Sequence, residues 1–443
     1  MMSIVAAVCS TLIWGSGQLF NKQKIKGLFF FIFYLIFAGI ELFTGSINIL
    51  TGTAEAQFRN AGFFIRGIWG LVTLGTIPRE NSSVKVYDHS IMLMLGGIIA
   101  AMVLLIFLLI WVWNILDAYR TRKRIERGEQ ISSVQYFKNL WTSSFEYIMI
   151  TPGMLLVVFI SIVPIVFAIL VAFTNYNMNF IPPRRLVEWT GFGTFADIIK
   201  IKIWGSTFVK IFIWTLLWAF LATFSSYIFG LFQALILRAK AVKLRAVWRA
   251  VFILPWAVPG IVSTMVFRAM LHQDGAVNQM LLGAGIIKQA IPFLSDVFWA
   301  RLCLILVNVW LGFPYFMALI SGVMTTVPQE LYEAAQIDGA NSLHQFRAIT
   351  LPIILASTAP QLLMSVTFNF NNFNMIYFLT DGGPPNASFQ MAGSTDILIS
   401  WIFKLTIDQR MYNYASALSI FIFIVVASVS AWNLLRTRAF KED

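Results

Sequence analysis

Apolar residues fall in long runs along this chain, separated by short polar segments. A run of roughly 20 apolar residues is the length of helix that crosses about 30 Å of hydrocarbon. Eight runs predict transmembrane helices, at residues 27–45, 90–116, 148–173, 207–237, 251–270, 301–323, 352–373 and 414–435. The stretch 2–20 is apolar too, but Trp14-Gly15-Ser16-Gly17-Gln18 interrupts it, so we expect an interfacial or re-entrant helix there. The predicted fold class is therefore an all-α, polytopic membrane protein.

Composition agrees with the pattern of apolar runs. Of the 443 residues, 58% are hydrophobic and only 12% are charged, and the mean hydropathy is +0.77. A net charge of +12 could indicate a nucleic-acid partner. The basic residues, however, lie in short runs beside the apolar spans, which is typical of a topology signal. We therefore predict membrane lipid as the surrounding partner, and no nucleic acid.

The basic runs also predict an orientation. They comprise Arg120, Arg122, Lys123, Arg124 and Arg127; Arg238, Lys240, Lys243, Arg245 and Arg249; and Lys22, Lys24, Lys26, Arg436, Arg438 and Lys441 near the termini. With eight spans, all of them fall on one side of the membrane, as does the polar segment around Glu333. Since Lys and Arg favour the cytoplasmic side, we predict a multi-pass protein of the cell membrane with both termini cytoplasmic. Residues 46–89, 174–206, 271–300 and 374–413 would then be external.

The energy source for transport is not visible in the chain itself. Ionisable residues within the predicted spans are limited to Glu41, Lys210, Arg268 and Arg301, all near span ends, whereas an ion-driven pump usually buries a carboxylate or histidine relay. The sequence lacks a GxxxxGK[ST] phosphate loop, so the chain is not an ATPase. It also lacks paired carboxylates, a histidine cluster or an activated Ser or Cys motif. We predict no catalytic residue, no cofactor and no metal site, and an energy source in a partner protein.

A compact polar segment at 328–352 interrupts the apolar pattern. Pro328 suits the first turn of a helix, Glu330 and Glu333 favour its positive end, and Gly339 can supply the left-handed residue that stops it. The segment predicts a short helix, a turn at Asp338-Gly339, and a second helix that runs into the span after Leu351-Pro352. Its small residues, Ala334 and Ala335, would let a partner approach the backbone closely. On helix signals alone, an ordinary connection between two spans is the alternative.

Uncharged polar and aromatic residues occur within the spans at three places. These are Leu254-Pro255-Trp256-Ala257-Val258-Pro259-Gly260, Asn308-Val309-Trp310-Leu311-Gly312-Phe313-Pro314-Tyr315, and Phe368-Asn369-Phe370-Asn371-Asn372-Phe373-Asn374. An amide in hydrocarbon needs a partner, and amides beside aromatic rings suit a sugar. Contacts between helices explain the asparagines as well, and helix kinks without a ligand explain the Gly and Pro residues. Both interpretations stay open at this point.

The segment from Glu333-Ala334-Ala335 through Asp338-Gly339-Ala340 to Ile349, Leu351 and Pro352 resembles the EAA loop of ABC importer permeases. Together with the three mid-span segments and Asp381-Gly382-Gly383-Pro384, it looks like the larger permease subunit of the maltose and maltodextrin importers. The resemblance covers roughly residues 145 to 438. It implies a type I ABC importer permease fold, with a six-helix core at 146–443 and its coupling loop at 328–352. Residues 1–145 would be an amino-terminal extension with two spans and a basic cytoplasmic loop.

The resemblance also implies site residues. Nine positions match those that hold sugar in the family: Trp256, Gly260, Asn308, Leu311, Gly312, Tyr315, Phe368, Asn369 and Asn372. Five match the loop that docks on the ATPase: Glu333, Ala334, Ala335, Asp338 and Gly339. Partners implied are a homologous second permease, two copies of a cytoplasmic ATPase subunit, and an extracellular substrate-binding lipoprotein.

The implied function is import of an oligosaccharide, maltodextrin-like or galacto-oligosaccharide-like, by alternating access. The alternative is a permease for glycerol phosphate or a glycerophosphodiester, which should add cationic residues to the cavity; none lies mid-span. Two features depart from the Gram-negative members, which have Tyr and Ser at the positions of Trp256 and Gly260 and a large external domain where 174–206 is a short loop. The short loop and the segment Gly17–Gln23 resemble Gram-positive members instead.

Overall fold

A computed structural model of the chain describes residues 2–46, 54–79, 87–129, 133–239 and 241–436. Within those ranges the chain forms helices, turns and loops, without a β-strand. The α-helices are α1 (Met2–Leu12), α2 (Ser16–Phe20), α3 (Lys24–Thr44), α4 (Ala54–Asn60), α5 (Phe63–Thr73), α6 (Ser90–Glu126), α7 (Ser133–Ser143), α8 (Phe145–Val157), α9 (Val163–Val171), α10 (Gly193–Lys200), α11 (Lys202–Arg238), α12 (Arg245–Ala257), α13 (Gly260–Leu271), α14 (Ala276–Gly283), α15 (Val297–Thr326), α16 (Gln329–Ile337), α17 (Ser342–Gln345), α18 (Leu351–Phe370), α19 (Phe373–Thr380), α20 (Leu398–Ile407) and α21 (Tyr412–Arg436). Single π-helical turns, Val158–Ile162 and Phe346–Thr350, join α8 to α9 and α17 to α18. Lys240, Arg438 and Lys441 of the basic runs lie outside the described residues.

Most predicted spans are confirmed as single long helices. Among the described residues, six helices are long and apolar enough to cross a membrane: Lys24–Thr44, Ser90–Glu126, Phe145–Val171, Lys202–Arg238, Val297–Thr326 and Ser342–Phe370. The 25 residues of α21 cover the position of the eighth predicted span. The stretch 2–20 forms two short helices, α1 and α2, as its interruption predicts. With the bent pair at the fifth span and α21 at the eighth, the described part of the chain has an all-helical fold consistent with about eight spans.

The fifth predicted span, 251–270, is not continuous. It is broken between α12 and α13, and the two halves are bent by 88°. Val258 is extended, with φ −91° and ψ 134°, because the ring of Pro259 disfavours helical geometry at the residue before it. The sequence predicts a kink here, and the structure shows a complete break with a new helix starting at Gly260.

The described residues divide into two compact units, one of 1–194 with 411–420 and one of 195–410 with 421–443. The first unit is built on α6, against which α1 and α5 pack. Buried rings of Trp14, Phe30, Phe64 and Phe107 form one of its apolar clusters. Helices α4 and α5 lie within 46–89, which the sequence leaves as a loop. The start of the permease core at residue 146 stays a prediction.

A buried ion pair ties the amino-terminal helices to α6. The Nζ of Lys26 donates to Oδ1 of Asp117 at 2.8 Å, and their side chains are 1% and 8% exposed. Gln18 Nε2 donates to the other carboxylate oxygen of Asp117 at 3.2 Å, and Lys26 also reaches Thr121 Oγ1 at 3.3 Å. Lys26 and Asp117 each lie one position outside a predicted span. They were therefore not among the ionisable residues predicted to lie within the membrane.

The second unit is centred on α11, α15 and α18. Gly230 of α11 faces α15, where an added Cβ would lie 2.7 Å from Phe316 Cβ and 2.9 Å from the Phe313 oxygen. Small residues of this kind let membrane helices approach closely. The buried residues Tyr227, Phe313, Met317 and Ile354 fill the space between these helices.

A second buried carboxylate fixes the end of α19. Asp396 accepts from Gly393 N at 2.7 Å, Ser400 Oγ at 2.8 Å and Lys404 Nζ at 2.9 Å. Lys404 also donates to the Asp381 carbonyl at 2.6 Å, directly after α19. Burial raises the pKa of Asp396, although Lys404 and the Gly393 N–H oppose the shift. These contacts hold the predicted turn at Asp381-Gly382-Gly383-Pro384 in place.

Replacing Lys26 by Met should strongly destabilise the protein, because Asp117 would stay buried without its cation. Breaking one side of a buried pair costs roughly 3–5 kcal/mol. Thermal unfolding of the purified protein should show a clear drop in midpoint for Lys26→Met, and a partial recovery for Lys26→Met with Asp117→Asn. Lys24→Met, at an exposed position of the same helix, is the control. Equal midpoints for all three variants would contradict a stabilising role for the pair.

Candidate functional site

One cavity in the second unit brings together all nine predicted sugar-contacting positions. Its volume is about 380 Å³, and it is lined by Ser226, Trp256, Gly260, Ile261, Thr264, Asn308, Leu311, Gly312, Tyr315, Phe316, Ser365, Phe368, Asn369, Asn372, Asn374 and Met375. The nine come from three separate stretches of sequence, and they lie on α12, α13, α15 and α18 and in the residues that follow α18. The structure thus places them on one surface, and their role in binding stays a prediction.

The cavity lies where helices are broken. Gly260 begins α13 directly after the 88° bend, and α18 ends at Phe370, two residues before Asn372. Asn372 starts the next helix, since its Oδ1 accepts from the backbone N–H of Met375 at 3.3 Å. At the other break, Thr264 Oγ1 donates to the Gly260 carbonyl at 2.7 Å. Asn372 therefore satisfies a backbone N–H at the start of α19 and also lines the cavity.

The asparagines of the cavity also join helices. Asn308 Nδ2 donates to the Ala222 carbonyl at 3.1 Å, which ties α15 to α11. Asn369 Nδ2 donates to Thr223 Oγ1 at 3.0 Å, and Asn372 Nδ2 donates to Asn369 Oδ1 at 3.2 Å. The helix-joining interpretation of these amides is therefore confirmed, and the same contacts fix their orientation at the cavity wall.

The aromatic side chains supply the apolar surface of the cavity. The rings of Trp256 and Tyr315 lie 6.0 Å apart, tilted by 58°. Trp256 and Phe368 are 59% and 68% exposed in the isolated chain. None of the sixteen described residues that line the cavity carries a charged side chain. The site therefore offers amides, hydroxyls and rings, without a group to balance a charge.

Three hydroxyl residues line the cavity although they were not predicted as site residues, namely Ser226, Thr264 and Ser365. Single Ser and Thr residues in apolar spans commonly bond to the carbonyl four residues earlier, as Ser226 Oγ does with Ala222 at 2.7 Å. A serine or threonine in an apolar span therefore does not by itself indicate a cavity. Their spacing from the predicted residues on the same helix could have indicated them: Ser365 lies three residues before Phe368, one helical turn away.

The polar segment at 328–352 has the predicted form. Helix α16 follows Pro328 and ends at Ile337, and Gly339 adopts the left-handed conformation, with φ +79°. The next turn begins with Asn341, whose Oδ1 accepts from His344 N at 2.9 Å. From Ser342 the chain stays helical to Phe370. The predicted helix, turn and second helix leading into the next span are confirmed.

The five predicted coupling residues lie on and just after α16. Glu333, Ala334, Asp338 and Gly339 are exposed, and Ala335 is half-buried. Tyr332 holds the helix from the other side: its hydroxyl lies 2.9 Å from Thr350 Oγ1, and the Arg238 guanidinium lies 5.1 Å from its ring centre. The helix is thus anchored to α11 and to the base of α18 while its small residues remain accessible.

Broken helices around an uncharged cavity, combined with an exposed helix between two spans, define a membrane permease. Residues 226–436 match the model of the family described as "Binding-protein-dependent transport system inner membrane component". The chain is 38% identical to the galactooligosaccharides transport system permease protein GanP of Bacillus subtilis (strain 168), over 99% of this chain and 98% of that one. It is 35% identical to the maltodextrin transport system permease protein MdxF of the same organism, over 98% of this chain and 95% of that one.

This protein therefore belongs to the binding-protein-dependent permeases, the membrane subunits of ABC importers. It is a transport subunit and not an enzyme. The fold of a bacterial ABC transporter for import of the acidic polysaccharide alginate is similar, with a TM-score of 0.56 and 20% identity, covering 70% of this chain and all of that one. The predicted resemblance to Gram-positive members is confirmed by the full-length matches in Bacillus subtilis.

Two glycines of the second unit should respond differently to substitution. A Cβ at Gly260 would meet nothing within 4 Å, so Gly260→Ser should unfold at the wild-type temperature. A Cβ at Gly230 would overlap α15, and Gly230→Ala should lower stability by about 1–3 kcal/mol. Thermal unfolding of the purified variants measures both. A destabilised Gly260→Ser or an unaffected Gly230→Ala would contradict the packing described above.

Proposed function

We propose that this permease imports a neutral oligosaccharide of the maltodextrin or galacto-oligosaccharide kind through the cavity around Asn308 and Tyr315. The observation that supports this most is that nine positions from separate helices meet on one uncharged surface. Side-chain amides and hydroxyls can exchange hydrogen bonds with sugar hydroxyls, and ring faces can cover the apolar C–H side of a sugar. Ligand pockets commonly combine an apolar wall with a few fixed polar groups in this way.

The lack of charge at the cavity decides between the two cargo classes. A glycerol phosphate or glycerophosphodiester carries a phosphate, and a buried anion needs a cation or several N–H donors. The cavity residues include neither Lys nor Arg. Two relatives that match over nearly their full length are permeases for galactooligosaccharides and maltodextrin. A neutral oligosaccharide is therefore the better supported cargo.

The chain works as one subunit of an importer. We infer a second, homologous permease that completes the cavity, two cytoplasmic ATPase subunits, and an external binding lipoprotein that delivers the sugar. Both termini and α16 would face the cytoplasm, in line with the basic runs. Closure of the ATPase pair would move α16 and switch the cavity between outward and inward access. In this scheme Glu333 makes the polar contact with the ATPase, Ala334 and Ala335 give close packing, and Asp338 and Gly339 form the turn.

Uptake of labelled malto-, galacto- and raffinose-type oligosaccharides tests the cargo. A strain that lacks this chain should regain uptake of one sugar class when the wild type is restored. Asn372→Ala should raise the concentration for half-maximal uptake about fivefold or more, since a neutral hydrogen bond contributes about 1 kcal/mol. Asn371→Ala is the control, because Asn371 is exposed and does not line the cavity. An assembled wild-type complex that takes up none of these sugars would refute the oligosaccharide assignment.

The coupling role of the turn after α16 has a matched control within the chain. Gly339 and Gly128 both have positive φ, +79° and +84°, and both donate a backbone hydrogen bond, of 3.0 Å and 2.9 Å. Substitution by Pro removes the N–H and forbids the angle at either position. Gly339→Pro should abolish sugar uptake while the complex remains in the membrane, and Gly128→Pro should leave uptake near the wild-type rate. Equal uptake by the two variants would count against coupling through this turn.

A further inference from the structure

We propose that Gln361, which does not line the cavity, is a positioning residue that sets the hydrogen-bonding polarity of Tyr315 and so helps to select the sugar. The Tyr315 hydroxyl donates to Gln361 Oε1 at 2.9 Å. Tyr315 belongs to the cavity wall, whereas Gln361 lies on α18. The inference rests on the proposed function, since it assigns a task within sugar binding.

The hydrogen bond joins two helices at equivalent points. Tyr315 directly follows Pro314 in α15, and Gln361 directly follows Pro360 in α18. A proline inside a helix leaves the carbonyl four residues earlier without its usual donor. Each helix therefore lacks one backbone hydrogen bond close to the level at which Tyr315 and Gln361 meet. A polar contact between them fixes the relative position of the two cavity walls.

A phenol has one hydrogen to donate and lone pairs to accept with. Because its hydrogen is directed to Gln361, the Tyr315 oxygen faces other partners as an acceptor only. A sugar hydroxyl that contacts this oxygen must then donate. Without the glutamine, the phenol could rotate and either donate or accept, and the site would lose discrimination between hydroxyls of different orientation.

The composition of this part of α18 argues against an accidental polar residue. Around Gln361 the helix reads Ala359-Pro360-Gln361-Leu362-Leu363-Met364, so Gln361 is an amide among apolar side chains and is half-buried. An amide in an apolar environment is costly without a partner. Leu362 and Tyr315 both pack against the buried cluster that contains Phe313 and Met317. Packing therefore holds both partners of the hydrogen bond in position.

A double-mutant cycle on uptake tests the proposal in the assembled transporter. Gln361→Met keeps the length of the side chain and removes the acceptor, and Tyr315→Phe removes the hydroxyl. Each alone should raise the concentration for half-maximal uptake of the transported oligosaccharide about fivefold, the effect of one neutral hydrogen bond, with little change in maximal rate per complex. The double variant should show the same increase as Tyr315→Phe alone, because Gln361 acts through the hydroxyl.

The competing outcomes are distinct. If the increases in half-maximal concentration caused by the two substitutions multiply in the double variant, the proposal is wrong while the transport function stands. The same holds if Gln361→Met leaves uptake unaltered. A lower maximal rate at an unchanged half-maximal concentration would show a role in folding or gating and would overturn it as well. A wild-type complex that transports no oligosaccharide would refute the proposed function, and this inference with it.

Discussion

In hydrocarbon every backbone N–H and C=O must find a partner within the protein, and the whole structure follows from that constraint. It explains why the described residues are mostly helical, and why a side chain caps the helix that begins after the end of α18. Directly after the break between α12 and α13, Thr264 Oγ1 adds a second donor to the Gly260 carbonyl within α13. Where α18 gives way to α19, Asn372 accepts the N–H of Met375. The cavity lies beside both breaks, and the amides of Asn308 and Asn369 in its wall already bond to a neighbouring helix.

The same constraint governs buried side chains. Asn308, Asn369 and Thr223 are buried and hydrogen-bonded across helices, and the charges of Lys26 and Asp117 neutralise each other. Such contacts are modest in energy but strict in geometry. They therefore fix which faces of the helices meet. In the first unit, the Lys26–Asp117 pair fixes the packing of helices. At the cavity, neutral amides and hydroxyls fix it, and the site therefore has no fixed charge.

Much of this architecture could be predicted from the sequence, because hydrophobic run length and local helix signals are encoded by neighbouring residues. The spans, the helix at 329–337, the left-handed Gly339 and the kink before Gly260 are of this kind. The nine cavity positions came from resemblance to a family, since pattern alone left Asn369 open between a helix contact and a ligand. Pairs such as Lys26 with Asp117, 91 residues apart, or Tyr315 with Gln361, 46 residues apart, depend on which helix faces meet. No local pattern contains that information.

The order of elements around α16 explains how an event outside the membrane plane could reach the cavity. The helix before it, α15, carries Asn308, Leu311, Gly312 and Tyr315, and the helical run after it, Ser342–Phe370, ends at Phe368 and Asn369. At 1.5 Å per residue, Tyr315 lies about 17 Å along α15 from Thr326, and Phe368 about 39 Å along its helix from Ser342. In the proposed function, a displacement of α16 would therefore reach both cavity-lining helices, over a shorter distance along α15 and a longer one along 342–370. The helical run 342–370 contains Pro360 and the π-helical turn at 346–350, whereas α15 contains Pro314 alone. Backbone hydrogen bonding is therefore interrupted at more points on the longer path than on the shorter one, so the two walls need not move equally.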